Sequence, residues 1–187
     1  FLMRAVFHAA SLLPLLWLVY LVATGQIGAD PAERIVRYLG LTGACFLWAC
    51  LTMTPLRLLS GRSVWISYRR GLGLWAFFYL SIHLLSFIVM WAGLDVQILL
   101  EEVTERPYVY LGLFGWLLMV PLAFTSTRSA RRRLGKSWIK LHRLIYPVAL
   151  LGLAHMLWIA KLDYLQVSIF GGLLFMLFFC RWFYRKN

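Results

Sequence analysis

Six apolar runs, each close to twenty residues long, constrain this chain more than any other feature of its sequence. They fall at residues 5–23, 35–54, 71–93, 108–125, 144–160 and 164–180. A bilayer core about 30 Å thick takes roughly 20 apolar residues as a helix, and hydrocarbon admits only helices or closed barrels because every backbone group must be satisfied internally. The runs predict an all-α membrane protein, a six-transmembrane-helix bundle. The short connections make most consecutive helices antiparallel neighbours. No long linker, internal repeat or low-complexity stretch marks a second domain, so residues 1–187 read as one transmembrane domain. The first run is too long for a signal peptide and lacks a small-residue cleavage pattern. The chain opens on Phe1 rather than Met, so its start is expected to be trimmed or incomplete.

Composition excludes two further classes. With 62% hydrophobic and only 14% charged residues, the chain is too apolar to stay disordered in water. It also lies far from the ~45–50% and ~25% of a soluble domain. The excess of 19 Lys and Arg over 7 Asp and Glu, net +12, invites a nucleic-acid reading, which the positions of the charges argue against. With both termini cytoplasmic, the inner side collects Arg4, Arg57, Arg62, Arg69, Arg70, Arg128, Arg131, Arg132, Arg133, Lys136, Lys140, Arg143, Arg181, Arg185 and Lys186, a total of +15. The outer side has Arg34, Arg37, Arg106 and Lys161 with all seven acids (Asp30, Glu33, Asp95, Glu101, Glu102, Glu105 and Asp163), a total of −3. This asymmetry is a topology signal and an attraction for anionic membrane lipid. Trp17, Tyr20, Trp91, Tyr108, Trp158 and Trp182, near span ends, suit interfacial belts.

No Asp or Glu lies inside any of the six runs, which argues against a proton-coupled transporter built on a carboxylate relay. The ionisable groups that do enter the apolar zone are histidines. His83 lies 13 residues beyond Arg70 and His155 lies 15 beyond Lys140, so both sit roughly 20–22 Å from the inner edge along an outward-running helix. Two imidazoles at one depth on different helices are the arrangement for a haem clamped by two axial nitrogens. The competing reading is two separately satisfied core histidines. His142, 13 residues before His155, lies roughly 20 Å away along the axis and cannot share that iron. It suits either a second, shallower haem or contact with lipid, a flavin or a haem propionate at the inner edge. His8 on the first span is the remaining candidate partner for it; a hydrogen-bonded His8 is the alternative. Arg69, Arg70 and Arg143 lie where haem carboxylates or a phosphate-bearing donor are met by charge-assisted hydrogen bonds, or where they simply anchor the inner face.

Cys45, Cys50 and Cys180 form no CxxCH and no metal-type pair, which excludes c-type attachment and leaves them as small apolar residues. No Gly-rich phosphate loop or hydrolase elbow occurs. The chain cannot by itself oxidise a nicotinamide, so an electron donor would be a separate protein, a bound flavin or a quinol. The outer acids Glu101, Glu102 and Glu105 would face the acceptor.

The segment TSTRSARRRLGKSWIKLHRLIYPVALLGLAHMLW at 125–158 resembles the MsrQ (YedZ) family. HAASLLPLLWLVY at 8–20, GADP at 28–31, TPLR at 54–57, GLWAFFYLSIHLLSF at 73–87 and ERPYVYLG at 105–112 extend the likeness in order over the chain. The resemblance implies a ferric-reductase-like, six-helix, multi-pass protein of the bacterial inner membrane, an electron-transfer subunit rather than an enzyme alone. It implies b-type haem, in one or two copies, and in some members FMN. The family's haem ligands fall on His83, His142 and His155. The partner it implies is MsrP, a periplasmic molybdopterin reductase that repairs methionine sulfoxide in envelope proteins. The donor is a quinol at a quinone site or a cytoplasmic flavin reductase. Two rivals stand beside this reading: a stand-alone transmembrane metalloreductase, and a non-redox channel or transporter gated by histidines.

Overall fold

The computed structural model describes residues 2–160 and 164–186, with side chains to residue 184. Phe1, and Lys161 and Asp163 of the outer charge set, lie outside the described residues, as do the side chains of Arg185 and Lys186. The described chain is helical: α1 (Leu2–Ala23), α2 (Pro31–Ser60), α3 (Val64–Ser86) prolonged by a π-helical turn (Phe87–Trp91), α4 (Val96–Glu105), α5 (Pro107–Phe124), α6 (Arg128–Leu134), α7 (Lys136–His142), α8 (Ile145–Ile159) and α9 (Leu165–Lys186). Six stretches are long and apolar enough to cross a membrane: Leu2–Ala23, Pro31–Ser60, Val64–Trp91, Pro107–Phe124, Lys136–Ile159 and Leu165–Tyr184. These are the six that the sequence predicts.

Local chemistry sets the boundaries. Asp30 caps α2 by accepting from the Glu33 amide, Pro31 fills the first turn, and Gly61 ends the helix in the left-handed conformation (φ 68°). At 30 residues, α2 is roughly 45 Å long and outreaches the bilayer core. Helix α4, whose ten residues are too short to span, falls between the apolar runs. Asp95 caps it through the Gln97 and Ile98 amides. Its apolar Val96, Ile98 and Leu100 are exposed while Glu102 is buried and paired with Arg106 at 3.1 Å.

The bundle is built on two antiparallel hairpins, α2 with α3 and α5 with α8. Between α2 and α3 the pairings run from Val36 with His83, through Gly43 with Leu80, to Thr54 with Arg69. The main core joins both hairpins to α9 through Leu47, Trp48, Leu51, Ala76, Met119, Val148, Ala149 and Leu174, and the Trp48 indole donates to the Phe170 carbonyl at 2.9 Å. Helix α1 leans on the first hairpin, held by Tyr79 Oη to the Ser11 carbonyl (2.7 Å) and Tyr38 Oη to the Pro14 carbonyl (3.0 Å). Large apolar residues such as Leu13, Phe124 and Phe175 point outward, the pattern of a surface solvated by lipid.

Candidate functional site

His83 on α3 and His155 on α8 meet across the two hairpins, their ring centroids 6.3 Å apart and their planes nearly perpendicular at 82°. Each ring is held in the same way. His83 Nδ1 donates to the Val36 carbonyl at 2.8 Å, and His155 Nδ1 to the Tyr108 carbonyl at 2.6 Å. A carbonyl can only accept, so the proton sits on Nδ1 in both rings and Nε2 keeps its lone pair. Among the described residues neither Nε2 has a hydrogen-bond partner. This is the tautomer of a metal-ligating histidine, with the outer nitrogen oriented by the backbone.

The spacing fits one metal atom. Two metal–imidazole bonds of about 2 Å, with each ring centre roughly 1.2 Å behind its nitrogen, span about 6.4 Å between centroids. No group of three His, Cys, Asp or Glu able to cage a metal occurs among the described residues. A metalloporphyrin supplies four nitrogens itself and asks the protein only for axial ligands, so two facing imidazoles suffice.

The two halves of the site are copies of one design. Gly40 stands one turn after Val36 and faces the His83 ring; Gly112 stands one turn after Tyr108 and faces the His155 ring. Each member of one set lies 72 positions from its counterpart: 36 and 108, 40 and 112, 83 and 155. The chain repeats around them. Residues 33–43 (ERIVRYLGLTG) and 105–115 (ERPYVYLGLFG) are identical at seven of eleven positions. This corrects the expectation of no internal repeat. The carbonyls and glycines that seat the rings escaped the reading of individual side chains, and this repeat is the signal that carries them. Between the hairpins, Trp116 Nε1 donates to Ser81 Oγ at 2.9 Å, two residues before His83.

The repeat breaks toward the basic end. The counterpart of His142 is Arg70. Arg70 and Arg143 are exposed, whereas Arg69 and His142 are half-buried. His142 is held differently from the other pair. Thr125 Oγ1 donates to the Pro121 carbonyl (2.6 Å) and therefore accepts from His142 Nε2 (3.0 Å), which carries the proton. Trp138 stacks on His142 with centroids 3.9 Å apart and lies beneath the Arg131 guanidinium at 5.1 Å. His8 is exposed on α1, where its Nδ1 accepts from Trp75 Nε1 at 3.0 Å. The structure thus brings His83 and His155 together, while the contacts of His8 and His142 are made on different helices.

Comparison with known proteins agrees with this architecture. The family described as the ferric reductase like transmembrane component matches residues 7–153, a stretch that contains His83 and His142 and ends two residues before His155. Among curated proteins, the protein-methionine-sulfoxide reductase heme-binding subunit MsrQ of Xanthomonas euvesicatoria pv. vesicatoria (strain 85-10) is 41% identical over 178 residues, covering 91% of this chain and 81% of that protein. The MsrQ subunits of two strains of Xanthomonas oryzae pv. oryzae (MAFF 311018 and KACC10331 / KXO85) are 40% identical over the same shares. No solved structure matches the chain.

Proposed function

We propose, since the chain belongs to the MsrQ family of ferric-reductase-like membrane proteins, that it is a b-type haem subunit carrying electrons across the bacterial inner membrane to a periplasmic molybdopterin methionine sulfoxide reductase. The observation that carries this reading is the facing pair His83 and His155, each fixed through Nδ1 and 6.3 Å apart. A haem held there by His83 and His155 would supply one-electron chemistry. The chain's own part is to hold both rings in one tautomer and to surround them with apolar helices that keep water away. The charge asymmetry supports cytoplasmic termini, with the pair nearer the outer face and the basic end toward a quinol or a cytoplasmic flavin reductase.

The basic end extends the same proposal. Trp138, stacked on His142 and covered by Arg131, marks the aromatic end of the bundle near which a second haem, an FMN or a quinone packs. Arg69, with the exposed Arg70 and Arg143, meets the acid groups of such a molecule, and His8 is the partner proposed for His142.

A redox-resolved visible spectrum with a haem-to-protein ratio tests the reading. A Soret band that disappears in His83→Ala and in His155→Ala supports it; unchanged haem content in either variant overturns the pair. Absence of any Soret band in the wild type returns the chain to the class of histidine-gated channels or transporters. Capture of a periplasmic molybdopterin reductase distinguishes the subunit from a stand-alone metalloreductase. Haem and flavin content measured together in His142→Ala and His8→Ala separates the occupants of the basic end.

A further inference from the structure

Among the described residues Arg181 is a cation without an anion. It lies 16 residues into α9 from Leu165, donates through Nη1 to Tyr146 Oη and through Nη2 to the Leu51 carbonyl, and rests over the Tyr146 ring at 5.2 Å. Its Nε is enclosed and has no hydrogen-bond partner. Arg69 is attached to the same stretch of α2: its Nη1 donates to Thr54 Oγ1 at 3.4 Å, and its carbonyl accepts from Cys50 Sγ at 3.2 Å. The two anchoring points on α2, the Leu51 carbonyl for Arg181 and the Thr54 hydroxyl for Arg69, are three residues apart, less than one helical turn.

Among the described residues no carboxylate answers these charges. Six of the seven acids, at 30, 33, 95, 101, 102 and 105, lie at the N-terminal end of α2 or between α3 and α5, at the other end of the bundle. Asp163 precedes the start of α9, and Arg181 lies roughly 24 Å along that helix from Leu165. The single ion pair among the described residues is Arg106 with Glu102. Tyr146 and Leu51 satisfy the direction of two N–H groups but not the charge. Two like charges within an apolar slab are costly unless an opposite charge joins them.

We propose that Arg69 and Arg181 form an anion site at the basic end of the bundle, taking one carboxylate or phosphate group of a ligand that is itself embedded in the membrane. The planar fork of arginine is suited to either group. The sources of that chemistry are an acid side chain of a haem or the phosphate of an anionic phospholipid; the first rests on the function proposed above and the second does not. Arg181 itself reads in sequence as an inner-face anchor, and its place between α2 and α8 gives it this role.

The test uses the full chain in phosphatidylglycerol nanodiscs, as wild type, Arg69→Gln, Arg181→Gln and Arg181→Lys. Native mass spectrometry after release into neutral detergent counts retained phospholipid, and spectroscopy gives the haem ratio and midpoint potential. If the anion is a phospholipid, each Gln variant retains it about tenfold less with haem content unchanged. If it is a haem acid group, each Gln variant lowers haem retention by about the same factor or shifts the potential downward. Arg181→Lys keeps the charge without the fork and restores part of either effect. Retained lipid, haem ratio and potential all equal to wild type in the Gln variants overturn the proposal; should Arg181→Gln not fold, Arg69→Gln decides it. A wild type without a Soret band sinks the haem reading alone and leaves phospholipid retention to judge the site.

Discussion

Gly40 faces His83 so closely that a Cβ placed on it would stand 3.0 Å from both Nδ1 and Cε1 of the ring. The ring cannot step aside freely, because its Nδ1 is bonded to the Val36 carbonyl of the same helix. Gly40→Ala is therefore expected to push the imidazole out of line with His155, at the ~1–3 kcal/mol typical of overpacking, which is a roughly 5- to 150-fold loss in affinity for whatever the pair holds. Gly112→Ala, with the same 3.0 Å approach to His155, should do the same. Haem-to-protein ratio and the low-spin visible bands measure both. If either variant matches wild type while its partner does not, the two halves are not equivalent.

Helix α1 contributes no ring to the deep pair, and its attachment should be separable from it. Tyr79 is fully buried, and its hydroxyl holds the Ser11 carbonyl. Tyr79→Phe removes one buried hydrogen bond and is expected to cost about 1–2 kcal/mol, read as a lower thermal midpoint in detergent. Haem content at low temperature should stay at the wild-type value. Loss of haem from the His83–His155 pair in this variant would tie α1 to the deep site.

Much of this was legible in the sequence for a plain reason: helical rise is constant, so counting from Arg70 and from Lys140 puts His83 and His155 at one depth, and the structure brings their rings together. What seats those rings was not legible residue by residue. Val36 and Tyr108 act through backbone carbonyls, and Gly40 and Gly112 act by lacking a side chain, so no side-chain chemistry advertises them. Only the repeat of 33–43 at 105–115 does, and its Leu and Gly residues pass for ordinary membrane helix. Arg181 was hidden differently. A basic residue at the end of an apolar run looks like an anchor, and only the register of α9 against α2 and α8 draws it inward. Helix α4 is not legible because its ten residues of mixed acids and apolar groups carry no run long enough to read as a span.

Trp48 helps join the first hairpin to the last helix, its indole N–H donating to the Phe170 carbonyl and its ring edge to face with Phe170 at 5.1 Å. Trp48→Phe keeps an aromatic ring but leaves that carbonyl without its indole donor, an expected cost of about 1–3 kcal/mol. Since α9 carries Arg181, the loosening should also raise proteolysis of the C-terminal helix before it affects the deep pair. Limited proteolysis followed by mass analysis checks the order; haem loss preceding cleavage would contradict it.

Thr125 settles which nitrogen of His142 is free. Its hydroxyl proton goes to the Pro121 carbonyl, so the imidazole must donate from Nε2, opposite to the arrangement at His83 and His155. Binding a metal through Nε2 of His142 would require that bond to break. Thr125→Val keeps the shape of the side chain and removes the acceptor, releasing Nε2 at a cost of about 1 kcal/mol to the local fold. If His142 carries a second haem through Nε2, the variant should retain that haem more tightly, by up to about fivefold for a competing bond of this strength. A titration of haem into depleted protein, followed at the Soret band, gives the number. An unchanged second binding step would mean that His142 serves the basic end in some way other than ligation through Nε2, with its stacking on Trp138 as the remaining contact.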